Sequence, residues 1–178
     1  MGSIFMSIIV IFLAVILGTT AIASGSLAPW VPTRRKDLRR IYRLASIRSG
    51  EIFYDLGAGD GRVAFYIARH SGGRVVGIEL SLLFYLLCFV KRALSGVKNL
   101  SFRFRDIYGE DLTDADAVFV FPASRRALRG KLSEKLKQEL KLGARVITYV
   151  FPIEGWTPDV VDKPDGQDVA IYLYKKWG

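Results

Sequence analysis

The chain has 178 residues, 26 of them Lys or Arg and 17 Asp or Glu, and a formal net charge of +9. Its length favours one domain over two. Residues 1–33 contain no charged side chain, so all of the charge belongs to residues 34–178, which are long enough to bury an ordinary core. The single histidine, His70, and the single cysteine, Cys88, predict no metal site and give no support to Cys–His or Ser–His–Asp catalysis.

The first candidate element is an apolar segment at residues 4–23, with the sequence IFMSIIVIFLAVILGTTAIA. Its 20 uncharged residues match the length of a helix that crosses the ~30 Å hydrocarbon core of a bilayer. A linker containing Ser, Gly and Pro follows, and then a basic run that begins at Arg34. The positive-inside rule predicts a single-pass membrane protein whose remaining chain lies on the cytoplasmic face, or on the equivalent matrix face in an organelle.

Two other interpretations of this segment stay open. Ala21 and Ala23 resemble a signal-peptide cleavage site, and an apolar helix can also lie in a protein core. However, no basic residue precedes the apolar run, and the basic run after it would resist translocation. We therefore expect an uncleaved anchor over residues 1–23, a linker over residues 24–33 and one domain over residues 34–178.

Beyond the linker, the spacing of apolar residues predicts alternating helices and strands. Helices are predicted over residues 34–46, 60–70, 81–94 and 124–140. Strands are predicted over residues 51–56, 74–80, 100–105, 115–121 and 144–151, and a terminal hairpin over residues 158–163 and 168–177. This alternation indicates an α/β fold with an open, mainly parallel sheet, helices on both faces and a C-terminal antiparallel hairpin.

The first strand runs into a glycine-rich loop, YDLGAGDGR at residues 54–62. Glycines permit positive φ and let a ligand approach the backbone, and the helix that follows offers free N–H groups. A dinucleotide-binding G-x-G-x-x-G motif fits only in part, because its third glycine position is Arg62 and Asp60 would repel a pyrophosphate. A carboxylate at Asp55 suits a ligand with an ammonium and a sulfonium group and no phosphate, which is the chemistry of S-adenosylmethionine (SAM).

Acidic residues also follow the next two predicted strands. Glu79 ends the second strand, 24 residues after Asp55, where a carboxylate can accept hydrogen bonds from both ribose hydroxyls of a nucleoside. Asp106 follows the third strand, where it can reach an adenine amino group. Ligands of such sheets bind beyond the carboxyl ends of the strands, so these acids strengthen the SAM interpretation. Their alternative roles are a helix cap for Glu79 and a solvated loop acid for Asp106.

With these motifs the chain from Trp30 onward resembles the Rossmann-like class I, or seven-β-strand, SAM-dependent methyltransferases. Within that class it resembles the small membrane-anchored protein-lysine methyltransferases whose mitochondrial members modify the ADP/ATP carrier and the ATP synthase c-subunit. The resemblance rests on VPT at residues 31–33, YDLGAGDGR at 54–62, GIE at 77–79, GARV at 143–146, YVFP at 149–152 and GW at 155–156.

The resemblance implies a cofactor site at the carboxyl edge of the sheet. Thr33 would close over the methionine end of SAM, with Asp55 and the loop glycines beneath it. Glu79 would hold the ribose, and Asp106 with Ile107 would frame the adenine. The predicted cofactor-binding residues are Thr33, Tyr54, Asp55, Gly57, Gly59, Glu79, Leu80, Asp106 and Ile107.

A lysine acceptor would have to lose a proton before it attacks, and a channel that excludes water beside the SAM cation would lower its pKa. The candidate channel residues end the fourth and fifth strands and are Phe121, Pro122, Tyr149 and Phe151. Packing at the end of the sheet is their alternative role, so we assign no catalytic residue from the sequence.

Two departures from the family pattern concern the acceptor. The helix at residues 82–90, LLFYLLCFV, is more apolar than expected of this class, and FPAS at residues 121–124 lacks the Asn-Pro-Pro-aromatic motif of methyltransferases that modify nucleic-acid amino groups. A basic surface beside an anchor favours the lipid bilayer or a membrane-associated protein substrate as partner, and no nucleic acid is expected. Methylation of a small molecule or lipid, and a SAM-binding module without activity, stay open as alternatives. The sequence does not predict the oligomeric state.

Overall fold

The computed structural model describes residues 4–11, 14–15, 18, 31–122, 124, 128 and 130–176. Among these residues seven strands form one sheet in the order β3-β2-β1-β4-β5-β7-β6. They are β1 Ile52–Leu56, β2 Arg74–Glu79, β3 Leu100–Phe104, β4 Ala117–Val120, β5 Arg145–Tyr149, β6 Val160–Asp162 and β7 Ile171–Lys175. The first five are parallel, and β7 runs antiparallel to β5 and β6. The predicted mainly parallel sheet and C-terminal hairpin are therefore confirmed.

Helices cover both faces of this sheet. Among the described residues of the domain they are α1 Leu38–Ala45, α2 Arg62–His70, α3 Leu82–Ser95 and α4 Lys131–Glu139, with short 3₁₀ turns at Arg35–Asp37 and Ile107–Gly109. The first face carries α1 over β4, β5 and β7, and α2 and α3 over the strands from β1 to β3. The second face carries α4, whose Leu132 and Leu136 pack with Tyr54 and Val118.

Alternate side chains of the central strands enter two separate cores. In β1, Phe53 belongs to the core beneath α1 and α2, whereas Tyr54 and Leu56 belong to the core beneath α4. Each fully buried aliphatic or aromatic side chain contributes about 1.5–3 kcal/mol. Burial on both sides explains why these strands are continuous apolar runs with no polar alternation.

The chain order along the sheet reverses at β1. Its neighbours are β2 on one side and β4 on the other, so the connections leave β1 and β4 in opposite directions. Open α/β sheets bind ligands in the crevice that such a reversal creates beyond the carboxyl ends of the strands. Gly57 directly follows β1, so the glycine loop begins at this crevice.

Of the predicted helix over residues 124–140, residues 125–127 and 129 lie outside the described residues, and the described helix α4 is shorter than predicted. The helix begins only at Lys131, because Gly130 has φ 61° and ψ −119°, far from helical values. The strand predicted to run to residue 151 ends at Tyr149, where Val150 takes a φ of 72°. Neither backbone reversal can be recognised from apolar spacing.

The predicted membrane segment at residues 4–23 is described only in part, at residues 4–11, 14–15 and 18. Residues 4–11 are helical, and apolar side chains among them such as Phe5 and Ile11 are exposed. Across the described ranges, no helix has the length and apolar character needed to cross a membrane. Of the predicted linker at residues 24–33, only residues 31–33 are described. The anchor stays a prediction.

Gly61 is the point at which α2, α3 and β3 meet. It precedes α2 with a φ of +77°, and a Cβ placed on it would lie 2.9 Å from Cys88 Sγ, 3.0 Å from Phe102 and 3.1 Å from Phe65. A larger residue would therefore be strained in its backbone and would also push three side chains apart.

We expect Gly61→Ala to lower the free energy of unfolding by about 2–4 kcal/mol, since left-handed backbone strain and overpacking add together. The matched control is Gly96→Ala, where φ is +69° but no atom lies within 4 Å of the new Cβ. The control should lose only about 1–2 kcal/mol of backbone strain. Urea unfolding of the purified chain in mild detergent measures both, and equal losses would contradict a role for packing at Gly61.

Candidate cofactor and acceptor site

The glycine loop is fastened to the neighbouring strand. The backbone N–H groups of Gly57 and Ala58 both donate to the carbonyl of Ile78 in β2, each at 2.9 Å. Gly57 and Gly59 have φ values of 79° and 54°, which residues with a Cβ adopt only at a cost of about 1–2 kcal/mol. The loop therefore exposes backbone to a ligand at a position that β2 fixes.

Asp55 lies beneath this loop and is 2 % exposed. Its Oδ2 accepts a hydrogen bond from the Ala64 N–H at 3.1 Å, so it also satisfies a free amide at the start of α2. Burial raises the pKa of Asp55 to about 7, the Ala64 N–H opposes this shift, and the nearby carboxylates of Glu79 and Asp60 add to it. A bound cation would favour the ionised carboxylate, so the site fits the ammonium group of SAM.

Glu79 joins the cofactor loop to the end of β2. Its Oε2 accepts the Gly59 N–H and its Oε1 accepts the Ser81 N–H, both at 2.7 Å. Burial raises the pKa of this carboxyl even though backbone N–H groups oppose the shift. Each carboxylate oxygen can accept a second hydrogen bond. Glu79 can therefore fix the loop and still bind ribose hydroxyls, and the ribose role stays a prediction.

Arg62 connects the Pro-Thr loop, which contains Pro32 and Thr33, to the glycine loop. The sequence did not reveal this role. Its Nη2 pairs with Asp60 Oδ2 at 2.6 Å, and its Nη1 donates to the backbone carbonyl of Thr33 at 2.9 Å. Burial would raise the pKa of Asp60, but the hydrogen bonds from Arg62 outweigh it and hold that pKa below its usual range. Thr33 itself is buried. The acidic and basic neighbours Asp60 and Arg62 were the available signal.

The predicted adenine-binding residues lie beside this group. The Arg105 N–H donates to the carbonyl of Glu79 at 3.1 Å, which holds the segment after β3 next to the end of β2. Asp106 is exposed and its Oδ1 accepts the Tyr108 N–H at 3.0 Å, whereas Ile107 is buried in the second core. Leu80 directly follows β2 and is half-buried.

The side chain of Tyr54 is directed away from the cofactor loop. It lies in the second core, and its hydroxyl donates to Asp114 Oδ1 at 2.9 Å. Burial, together with this bond to a carboxylate, raises the pKa of Tyr54 to about 12. Only the backbone of Tyr54 can therefore take part in the predicted site.

The four candidate channel residues divide between the two faces of the sheet. Phe121 and Tyr149 pack edge to face on the first face, with ring centroids 4.7 Å apart. Phe151 packs against the second core, and Pro122 is buried directly after Phe121. Phe121 and Tyr149 are thus brought together, whereas Phe151 is not.

Tyr149 is tied to a buried ion pair that sequence reasoning missed. Its hydroxyl donates to Asp37 Oδ2 at 2.6 Å, and Arg40 Nη1 donates to Asp37 Oδ1 at 2.8 Å. Arg40 also pairs with Asp162 at 2.6 Å, which links α1 to β6. Burial and the bond to Asp37 raise the pKa of Tyr149, so this hydroxyl stays protonated and cannot serve as a base.

No cluster of His, Cys, Asp and Glu that could hold a metal ion occurs in the described part of the chain.

The sheet order, the glycine loop and the buried acids near the ends of β1 and β2 define a class of protein, the class I SAM-dependent methyltransferases. An RNA methyltransferase from Salinibacter ruber, solved with S-adenosylhomocysteine, is 29 % identical with a TM-score of 0.76, covering 82 % of this chain and 93 % of that one. A SAM-dependent O-methyltransferase from Thermotoga maritima shares the fold, with a TM-score of 0.63 at 21 % identity over 84 % of this chain and 68 % of that one.

The family follows from sequence. Residues 55–160 match the ANTKMT methyltransferase domain, and the chain belongs to that family of SAM-dependent enzymes, as its motifs predicted. A protein-lysine N-methyltransferase of Saccharolobus islandicus (strain REY15A) is 32 % identical over 155 residues, which cover 82 % of this chain and 92 % of that relative. The human ATP synthase c-subunit lysine N-methyltransferase is 31 % identical over 134 residues, which cover 75 % of this chain but 56 % of the human protein. SAM is the cofactor.

We expect the affinity for SAM to fall as the pH is lowered below about 7, where unliganded Asp55 takes up a proton. If only the carboxylate binds the SAM ammonium, the dissociation constant rises by about tenfold per pH unit below that pKa. Titration calorimetry between about pH 5.5 and 7.5, below the α-amino pKa, measures this slope. Asp55→Asn should bind more weakly with no such slope, and an unchanged slope in the variant would contradict the assignment.

The same carboxyl predicts how the stability of the unliganded protein depends on pH. Its folded pKa of about 7 lies above the unfolded value of about 3.9, so the folded state binds more protons between these values. This contribution is fully present below about pH 4 and is lost as the pH rises to about 7. Urea unfolding at several pH values should show a smaller decline over this range in Asp55→Asn than in wild type. An identical decline would rule out Asp55 as the source.

We expect Tyr149→Phe to lower the free energy of unfolding by about 1–3 kcal/mol, because buried Asp37 loses a donor. Tyr85→Phe is the matched control, because its hydroxyl makes no hydrogen bond to any residue that the structure describes, and it should change stability by less than about 0.5 kcal/mol. SAM affinity, measured by calorimetry, should stay at the wild-type value in both. A Tyr149→Phe variant as stable as the control would contradict the role of this bond in tying the 3₁₀ turn before α1 to β5.

Proposed function

We propose that this enzyme transfers methyl groups from SAM to a lysine side chain of a membrane-associated protein. In this proposal residues 1–23 anchor it as a single-pass membrane protein, residues 24–33 form the linker and Pro-Thr loop, and residues 34–178 form a catalytic domain on the cytoplasmic, or matrix-equivalent, face. The observation that carries methyl transfer is the pair of buried carboxyls, Asp55 and Glu79, beneath a glycine loop bonded to β2.

The names of the relatives support a protein acceptor. Beside the archaeal protein-lysine N-methyltransferase, the human relative acts on the ATP synthase c-subunit, and a mouse relative, 30 % identical over 136 residues, is an adenine nucleotide translocase lysine N-methyltransferase. The apolar sequence at residues 4–23 and the basic run from Arg34 support attachment to a membrane.

The chemistry requires positioning more than acid or base catalysis. The bound cofactor supplies an electrophilic methyl group on a sulfonium with a neutral leaving group. In this proposal Asp55 holds the ammonium end and Glu79 the ribose, so the methyl group is fixed for in-line attack. Alignment of this kind can contribute on the order of 7–11 kcal/mol.

The acceptor side of the site supports an uncharged lysine. Phe121 follows β4, is half-buried, and packs edge to face on the buried ring of Tyr149 at the end of β5. An apolar surface of this kind lowers the pKa of a lysine that packs against it. The Tyr149 hydroxyl is already bonded to Asp37 and keeps its proton. We therefore propose that the lysine gives up its proton to water before it enters, and that no side chain acts as a general base.

A second candidate acceptor is RNA, favoured by the similarity to the Salinibacter ruber RNA methyltransferase at a TM-score of 0.76. A lipid or small molecule is a third, favoured by exposed apolar residues of α3 such as Leu83 and Phe89. Fractionation of a labelled reaction into protein, RNA and lipid separates all of these.

The test supplies SAM with a labelled methyl group to membranes that contain wild type, Asp55→Asn or Asp111→Asn. Asp111 is an exposed carboxylate and provides a control of the same chemical change. We expect label on protein lysines with wild type and Asp111→Asn, and a large loss with Asp55→Asn. Mass spectrometry of membrane proteins with and without the enzyme then identifies the acceptor and the number of methyl groups. Label confined to RNA or lipid would overturn the lysine assignment, and SAM binding without transfer would overturn the enzymatic one on these membranes.

A further inference from the structure

Helix α3 presents an apolar surface to solvent. Leu83, Leu87, Val90 and Leu94 follow one another at intervals of three or four residues, so they lie along one side of the helix. Their exposed fractions are 49 %, 43 %, 52 % and 83 %. A helix on the surface of a globular domain normally turns polar residues outward. We name this surface, together with exposed Phe89 and Phe104, the α3 outer face.

The charged residues of α3 do not cover this surface. Its only two, Lys91 and Arg92, bond to the body of the domain. Lys91 Nζ donates to the carbonyl of Asp60 at 2.5 Å, and Arg92 Nε donates to the carbonyl of Leu100 at 2.7 Å. The Lys91 ammonium and the Arg92 Nε are thus bonded to the domain, and the residues of the α3 outer face themselves are apolar.

The apolar surface continues onto the edge of the sheet. Strand β3 is the terminal strand on this side, and Phe104 at its end is 45 % exposed. The ring centroid of Phe104 lies 5.6 Å from that of Tyr85 in α3. Helix α3 and strand β3 thus form one exposed apolar patch. Contiguous apolar patches on a protein surface commonly mark sites of interaction with another protein or with a membrane.

The charge around the patch is mainly positive. Helix α3 has no acidic residue, and Lys98 in the turn after it is exposed. Arg103 and Arg105 lie at the same sheet edge but on the opposite face of the chain from Phe104, where they share the buried carboxylate of Glu110 while remaining 43 % and 55 % exposed. Asp106 is the exposed acid at this end. An apolar centre with a basic rim matches a surface of acyl chains and anionic headgroups.

We infer that the α3 outer face lies on an anionic phospholipid bilayer, in the plane of the headgroup–acyl boundary. This contact concerns the same membrane as the proposed function, but it requires neither a spanning segment nor a lysine acceptor. The apolar residues enter the boundary, and the basic rim meets the headgroups.

Membrane contact at this face would orient the cofactor site. On its inner side α3 is bonded directly to the glycine loop, because Cys88 Sγ donates to the Gly59 carbonyl at 3.2 Å and Lys91 bonds to Asp60. A domain resting on α3 therefore keeps the carboxyl edge of its sheet at a fixed height beside the bilayer. An acceptor in or on that bilayer would reach the site without the domain having to turn.

The test places an environment-sensitive nitrobenzoxadiazole label on the full chain at Leu94→Cys, with Leu142→Cys as the matched control. Both leucines are highly exposed, at 83 % and 71 %, but Leu142 lies in the loop after α4, away from α3. The native thiol of Cys88 does not compete, because it is buried and burial raises its pKa to about 12. Each labelled protein is mixed with phosphatidylcholine vesicles that contain or lack phosphatidylglycerol.

We expect the label at position 94 to brighten several-fold and shift to the blue with phosphatidylglycerol vesicles, and to do so less in high salt, while position 142 changes little. Adding Leu87→Glu and Val90→Glu should abolish the response at position 94 and leave SAM affinity unchanged, which shows that the domain still folds. No response at position 94, or an equal response at both positions, would overturn the inference. A response that depends on protein concentration without lipid would also overturn it and would point to a second copy of the chain.

Alkaline carbonate extraction of the same vesicles keeps this inference separate from the anchor. If the label at position 94 responds before extraction and carbonate then removes the chain, the α3 contact is supported and the spanning segment is contradicted. If the chain resists carbonate but the label at position 94 does not respond, the anchor is supported and the α3 contact is contradicted.

Discussion

The geometry of the cofactor site depends on how the end of β2 holds the loop after β1. Two loop amides bond to the carbonyl of Ile78, and the carboxylate of Glu79 accepts the Gly59 N–H. The loop can adopt this path because glycines take up its positive φ angles. The other contacts are built around this loop. Asp55 accepts the Ala64 N–H in the first turn of α2, and Arg62 bonds to the carbonyl of Thr33. Cys88 and Lys91 bond α3 to the loop.

Most of the fold could be predicted because its signals are local. Apolar runs and turn residues defined the five parallel strands and the hairpin, and burial of β1 on both faces explains why those runs were unbroken. The errors in the predicted element boundaries occur where the backbone conformation of a single residue ends a helix or a strand. Gly130 prevents an early start of α4, and Val150 ends β5 with a positive φ. At Val150 the backbone N–H donates to the carbonyl of Ala170, a tertiary contact that apolar spacing does not encode.

The candidate site likewise contains residues that could be predicted from local motifs and residues that could not. Asp55, Gly59 and Glu79 could be placed together because the carboxyl ends of parallel strands share an edge. Their partners could not, because Arg62 reaches Thr33 across 29 residues and Tyr149 reaches Asp37 across 112. The unusual apolar character of residues 82–90 was visible in the sequence. Only the structure shows that this character lies on the outside of α3, where it offers a surface to a membrane, and not in the core.

The most direct test of the proposed cofactor contacts is an experimental structure of the enzyme with S-adenosylhomocysteine, the product of methyl transfer. We expect the homocysteine amino group within hydrogen-bonding distance of Asp55 and the ribose hydroxyls on Glu79, with the Glu79–Gly59 bond retained. A ligand bound elsewhere, or one that leaves both carboxyls without contact, would contradict the assignment of Asp55 and Glu79 as the residues that hold the cofactor.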